Sequence, residues 1–103
     1  MAWTKLAAVG ELPKDSVIEV EHKGNLYAIC NVSGEFRALS GVCPHEGGPL
    51  GQGAITQGIL VCPWHMWEFD SHSGACLIDD TFGVLTYPVK IEDGGVLVNL
   101  PDA

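Results

Sequence analysis

Basic side chains are scarce in this chain: five Lys and Arg stand against 13 Asp and Glu, giving a formal charge of −8. Such a field repels phosphate backbones and anionic lipid surfaces, so no nucleic acid and no membrane are expected among its partners. It favours a protein with a basic patch, at a salt-dependent rate, although acidity of this kind also keeps a small protein soluble. Long apolar runs are missing as well. Runs such as Ile59-Leu60-Val61-Cys62 fall far short of the ~20 residues a membrane helix needs. Met1-Ala2-Trp3-Thr4-Lys5 does not open as a signal peptide, so the expected location is cytoplasmic. Repeats, low-complexity stretches and Ser/Pro-rich linkers are absent, and one domain over residues 1–103 is expected. The four cysteines are an even number that two disulfides would use, but a reducing compartment makes metal binding the better expectation.

Helix signals are also few. What is present is a series of short segments rich in Val, Ile, Leu, Tyr and Phe, punctuated by Gly, Pro, Asn and Asp, the pattern of an all-β domain. Ser16–His22 alternates from Ile18 onward, Lys23-Gly24-Asn25 turns the chain, and Leu26–Val32 resumes as a strand. Ser33-Gly34 then turns into Glu35–Leu39, predicting three consecutive antiparallel strands. Near the end, Leu85–Ile91 and Val96–Leu100 flank Glu92-Asp93-Gly94-Gly95, the clearest hairpin in the chain. Between Gly41 and Asp80 lie seven of the 13 glycines, which predicts loops whose backbone approaches a bound group closely.

Two motifs fall in that region, Cys43-Pro44-His45 and Cys62-Pro63-Trp64-His65, separated by the 16 residues Glu46 to Val61. Each pairs a thiolate ligand with an imidazole. Cys followed two positions later by His suits a single tetrahedral zinc poorly and suits a site with two metals better. A structural zinc domain built on the same four residues stays open as a reading at this point.

The paired motifs resemble the signature of Rieske proteins and Rieske-type ferredoxins, including the ferredoxin components of bacterial ring-hydroxylating oxygenase systems. The resemblance continues through Gly47-Gly48-Pro49-Leu50, Trp67-Glu68-Phe69-Asp70, Gly74 and Tyr87-Pro88-Val89. It implies a domain of stacked antiparallel sheets with two cluster-binding loops at one end, and one [2Fe-2S] cluster per chain. By motif position Cys43 and Cys62 would bind one iron, and His45 and His65 the other. Neutral imidazoles in place of two thiolates make such a cluster easier to reduce.

The chain departs from the high-potential members of the family. Where those carry a cysteine in each loop, joined as a disulfide, this sequence has Gly48 and Trp64; where they carry a serine and a tyrosine that hydrogen-bond to sulfur, it has Trp67 and Phe69. Missing donors predict a potential near roughly −150 mV rather than +300 mV. Met66 stands where the family commonly has glycine, and the simplest expectation is a methionine filling an apolar gap. No proline-rich third loop is evident, Leu77–Gly83 occupying that region. Cys30 and Cys76 are expected to be ordinary buried residues, His22 and His72 surface positions, and Trp3 core or edge packing. Trp64 and Trp67 suit packing and a docking contact equally, and Glu46, Glu68, Asp79 and Asp80 are expected to ring the cluster end.

The resemblance implies a soluble one-electron carrier, not an enzyme by itself, whose partners are a flavin-containing reductase and a terminal oxygenase, with a monomer as the simplest state. The alternative within the resemblance is a small Rieske subunit of an assimilatory nitrite reductase.

Overall fold

A computed structural model describes residues 2–101. Its strands are β1 (Ala2–Ala8), β2 (Ser16–His22), β3 (Asn25–Val32), β4 (Glu35–Ser40), β5 (Ala54–Thr56), β6 (Ile59–Val61), β7 (Glu68–Asp70), β8 (Thr86–Tyr87), β9 (Val89–Glu92) and β10 (Gly95–Leu100). Single 3-10 turns at Val9–Glu11 and Leu50–Gln52 complete the regular structure. The strands form three antiparallel sheets in the orders β1-β10-β9, β2-β3-β4-β8 and β5-β6-β7.

Four hairpins close through two-residue turns, Lys23-Gly24, Ser33-Gly34, Gln57-Gly58 and Asp93-Gly94, with positive φ at both residues of each. That is the turn whose twist matches the flanking strands, and glycine at its second position is the residue that adopts it freely. These dipeptides therefore set the register of all three sheets, and Ser16↔Asn31 through His22↔Asn25 pair as the alternation predicts.

The expected continuous strand Leu85–Ile91 is instead broken at Pro88. Thr86 and Tyr87 pair with Leu39 and Ala38 of β4, whereas Val89 to Glu92 pair with Val98 to Gly95 of β10. Proline has no N–H to give to a ladder, so the chain changes sheets there; the Pro88 carbonyl still accepts from the Asn99 N–H at 2.9 Å. The third sheet, β5-β6-β7, lies in the glycine-rich middle that periodicity left as loop, because three-residue strands are too short to show alternation.

The central strand β3 is buried on both faces. Tyr27 and Ile29 point into a core shared with Leu12, Ala38, Val96 and Val98, while Ala28 and Cys30 point into a second core with Leu39, Leu50, Leu60 and Phe69. Burying a side chain such as Ile29 or Leu39 completely stabilises the fold by about 1.5–3 kcal/mol. The second core is the floor on which two loops stand, one after β4 and one between β6 and β7. Among the described residues no helix is long and apolar enough to cross a membrane.

Candidate metal centre

The first loop closes on itself around Cys43. The Cys43 N–H donates to Gly48 O at 2.8 Å, the Gly47 N–H donates to Cys43 O at 2.8 Å, and Val42 bridges Pro49. The second loop is closed by the Cys62 N–H donating to Trp67 O at 2.8 Å. Between those ends His65 and Met66 have φ of 64° and 59°, a left-handed conformation that turns the chain sharply and points both side chains outward.

The loops abut. A Cβ on Gly48 would lie 2.8 Å from Cys62 Sγ and 3.1 Å from Trp64 Cβ, so glycine is what lets the first loop pass beside the sulfur of the second. Cys43 and Cys62 are fully buried, in contact with one another. Burial pushes the Cys62 thiol up; the Trp64 N–H, 3.4 Å from its sulfur, pulls it down, and the Cys43 thiol adds to the rise. A metal taken by such a thiol must displace its proton.

The two imidazoles meet edge to face, with ring centroids 5.3 Å apart. They are not alike. His65 is exposed, and its Nδ1 lies 3.2 Å from Glu46 Oε1. His45 is half-buried under the indole of Trp67, at 4.1 Å and 10° between planes, and its Nδ1 is buried with no hydrogen-bond partner. Phe82 closes the other side of Trp67 edge-on at 5.4 Å. The structure thus gathers all four motif residues at one end of the domain, thiols inward and imidazoles outward.

The Rieske [2Fe-2S] domain profile matches residues 2–88. The chain belongs to the Rieske family. It is 34% identical to the ferredoxin subunit of a biphenyl dioxygenase from a Pseudomonas species, strain KKS102, over all of this chain and 96% of that one. It is 32% identical to the ferredoxin component of the naphthalene 1,2-dioxygenase system of Pseudomonas aeruginosa, over 95% of each chain. Among solved structures, a ferredoxin of Sphingomonas yanoikuyae B1 superposes with a TM-score of 0.87 at 30% identity, covering 97% of this chain and all of that one. A proposed NADH-dependent nitrite reductase small subunit from Mycobacterium tuberculosis reaches 0.88 at 22% identity, covering 99% of this chain and 97% of that one, a likeness of fold alone.

The cofactor of this Rieske domain is a [2Fe-2S] cluster, and the residues at the loop end fit it. Two soft thiols and two imidazoles are the mixed donor set of such a centre. The unpartnered Nδ1 of His45 is a buried acceptor that a metal would satisfy, and the bare Cα of Gly48 leaves open the space beside Cys62 Sγ that a Cβ would fill.

Several side chains stand elsewhere than the sequence predicts. Met66 is 66% exposed and fills no apolar gap, because the left-handed backbone aims it at solvent. Trp64 is exposed while Trp67 packs against His45 and Phe82. Of the four acidic residues, Glu46 stands against a motif histidine, whereas Asp79 is bound into its own turn by Thr81, whose hydroxyl and N–H hold that carboxyl below its ordinary range. The Leu77–Gly83 loop reaches this end after all, through Phe82.

The remaining expectations agree with the structure or sharpen. Cys30 and Cys76 are buried in the second core, Cys30 with its thiol pushed up to about 11 by desolvation against a smaller lowering from Arg37. Trp3 lies partly exposed on edge strand β1, its ring 4.6 Å from Lys90 Nζ. His72 is exposed and His22 half-buried at a strand end. The Trp67 to His45 stack had no sequence signal, since its partners belong to different loops.

Proposed function

We propose that Cys43 and Cys62 hold one iron, and His45 and His65 the other, of a single [2Fe-2S] cluster. In this reading the chain, one domain over residues 1–103, is a cytoplasmic one-electron carrier that takes electrons from a flavin-containing reductase and delivers them to a terminal oxygenase. The observation that carries the reading is the pairing of two buried thiols with two imidazoles on abutting loops. When bound, the cluster supplies a reversible one-electron couple. The protein's part is to bury the sulfur side, keep one imidazole open at the surface, and surround it with a contact face.

That face combines exposed Trp64, Met66 and Phe82 with the carboxylate of Glu46. Apolar anchors beside an acidic side chain suit a transient partner whose own patch is apolar and basic. Relatives that share 30% or more of the sequence over nearly the whole chain are named as ferredoxin parts of multicomponent systems, which supports a carrier without catalysis of its own. The groove nearest the motifs, beside Cys62 and Met66, holds only about 210 Å³. A monomer suits a shuttle that must meet two partners in turn.

The test is electron paramagnetic resonance after dithionite reduction, with iron and acid-labile sulfide assayed on the same sample. A rhombic signal with the low average g value of a histidine-ligated cluster supports the ligand set, and zinc without iron would end it. Reduction by a reductase and reduced nicotinamide cofactor, slowed by salt, tests the carrier role.

A further inference from the structure

We infer that Trp67 is a positioning residue for His45, and that it makes the two imidazoles unequal: His45 covered, His65 open. The inference rests on His45 and His65 as the cluster's imidazole ligands. It starts from geometry. The indole of Trp67 lies face to face with the His45 ring, 4.1 Å away and within 10° of parallel, which covers one whole face of that imidazole. Parallel contact at this distance is the arrangement in which two flat rings fix each other's tilt.

Trp67 is itself held. Its backbone O accepts the N–H of Cys62, so the residue that covers one histidine also closes the loop carrying one cysteine. Phe82 meets its ring edge-on at 5.4 Å, and the Phe82 N–H is tied to Asp79 O at 3.1 Å in the turn below. Three rings from three separate loops, His45, Trp67 and Phe82, thus form one packed row. Among the described residues no comparable ring covers His65: His45 touches it edge-on, Glu46 approaches its Nδ1, and more than half of its side chain is exposed. The consequence is directional, since a partner reaches the cluster's imidazole side through His65 and not through His45.

The test is chemical accessibility. The cluster-loaded protein is treated with diethyl pyrocarbonate, which acylates accessible imidazole nitrogen, and the modified peptides are quantified over time. His65 is expected to react several-fold faster than His45. Trp67→Leu should bring the His45 rate up towards that of His65, and Trp67→Phe, which keeps a flat ring, should hold it low. Pulsed paramagnetic resonance on the reduced protein adds a readout that loss of stability would not mimic. In Trp67→Leu one of the two histidine nitrogen couplings should shift while the other stays.

Equal rates for the two histidines in the native sequence would overturn the inference, as would a His45 rate and coupling indifferent to Trp67→Leu. Should Trp67→Leu fail to fold, Phe82→Ala removes a partly exposed ring that steadies Trp67 and should raise the His45 rate part-way; an unchanged rate there overturns the inference too. Absence of the rhombic signal from the native sequence would instead strike the cluster reading itself, so the two failures are distinguishable.

Discussion

Gly48 and Cys62 approach so closely that a single methyl group on the first would stand 2.8 Å from the sulfur of the second. The glycine is required here for space, since a side chain would press on both Cys62 and Trp64 of the second loop. Gly48→Ala is therefore expected to lower the iron and sulfide content per chain markedly. Gly47→Ala, at φ 76° but with open space around it, should cost only about 1 kcal/mol of stability and leave cluster content near normal. Metal analysis of both purified variants separates crowding from backbone strain.

Met66 gives a prediction of opposite sign. Its left-handed backbone costs a side-chain-bearing residue ~1–2 kcal/mol, and with two thirds of its surface exposed it recovers little by packing. Glycine returns ~0.4–1 kcal/mol of that to the unfolded chain. Met66→Gly should thus be more stable than the native sequence by about 0.5–1 kcal/mol in urea unfolding. If Met66 serves the contact face, the same variant should be reduced more slowly by the reductase.

Ser71 ties two sheets together. Its hydroxyl donates to Gly58 O at 2.6 Å and accepts from Arg37 Nη1 at 2.7 Å, linking the β5-β6 turn to β4. Ser71→Ala removes both hydrogen bonds of this buried hydroxyl, while Gly58 O keeps the Ser71 N–H at 3.2 Å and Arg37 keeps Glu35, an expected loss of about 1–2 kcal/mol. The cluster spectrum should not change, because none of these groups touches the motif residues; circular dichroism melts together with the visible spectrum check both halves.

Cys30 sets an alkaline limit. Its folded thiol is raised from 9.0 to about 11, so between those values the folded state keeps a proton that the unfolded state has released. Stability from this group is complete below pH 9 and falls as pH rises towards 11, by roughly 2–3 kcal/mol in all. Tyr87, raised by burial and by Tyr27, acts in the same direction at higher pH. Unfolding free energies at the two ends of that window, compared between the native sequence and Cys30→Ala, should show the variant losing less.

The midpoint potential should lie near the lower end of the Rieske range, roughly −150 mV. Phe69 and Trp67 carry no hydroxyl, and the Trp64 N–H stands 3.4 Å from Cys62 Sγ, a long contact. Few donors on sulfur leave the reduced, more negative state without support. A midpoint above about +100 mV by redox titration would contradict this.

Local features were legible in the residues alone. The dipeptides Lys23-Gly24, Ser33-Gly34 and Asp93-Gly94 were readable as hairpins because a two-residue turn depends on the φ its own residues tolerate, and the Cys-x-His and Cys-x-x-His motifs were readable because each places a cysteine and a histidine within one loop. Pro88 was visible too, but its effect was not, since which sheet receives β8 and which receives β9 depends on partners β4 and β10 far along the chain. Packing between distant segments set the rest: Trp67 lies on His45, Glu46 faces His65, Gly48 passes beside Cys62 Sγ and Met66 points to solvent. Each of these is a contact between loops or a consequence of loop closure, set by the packing of the second core beneath them, and no periodicity within a short segment encodes it.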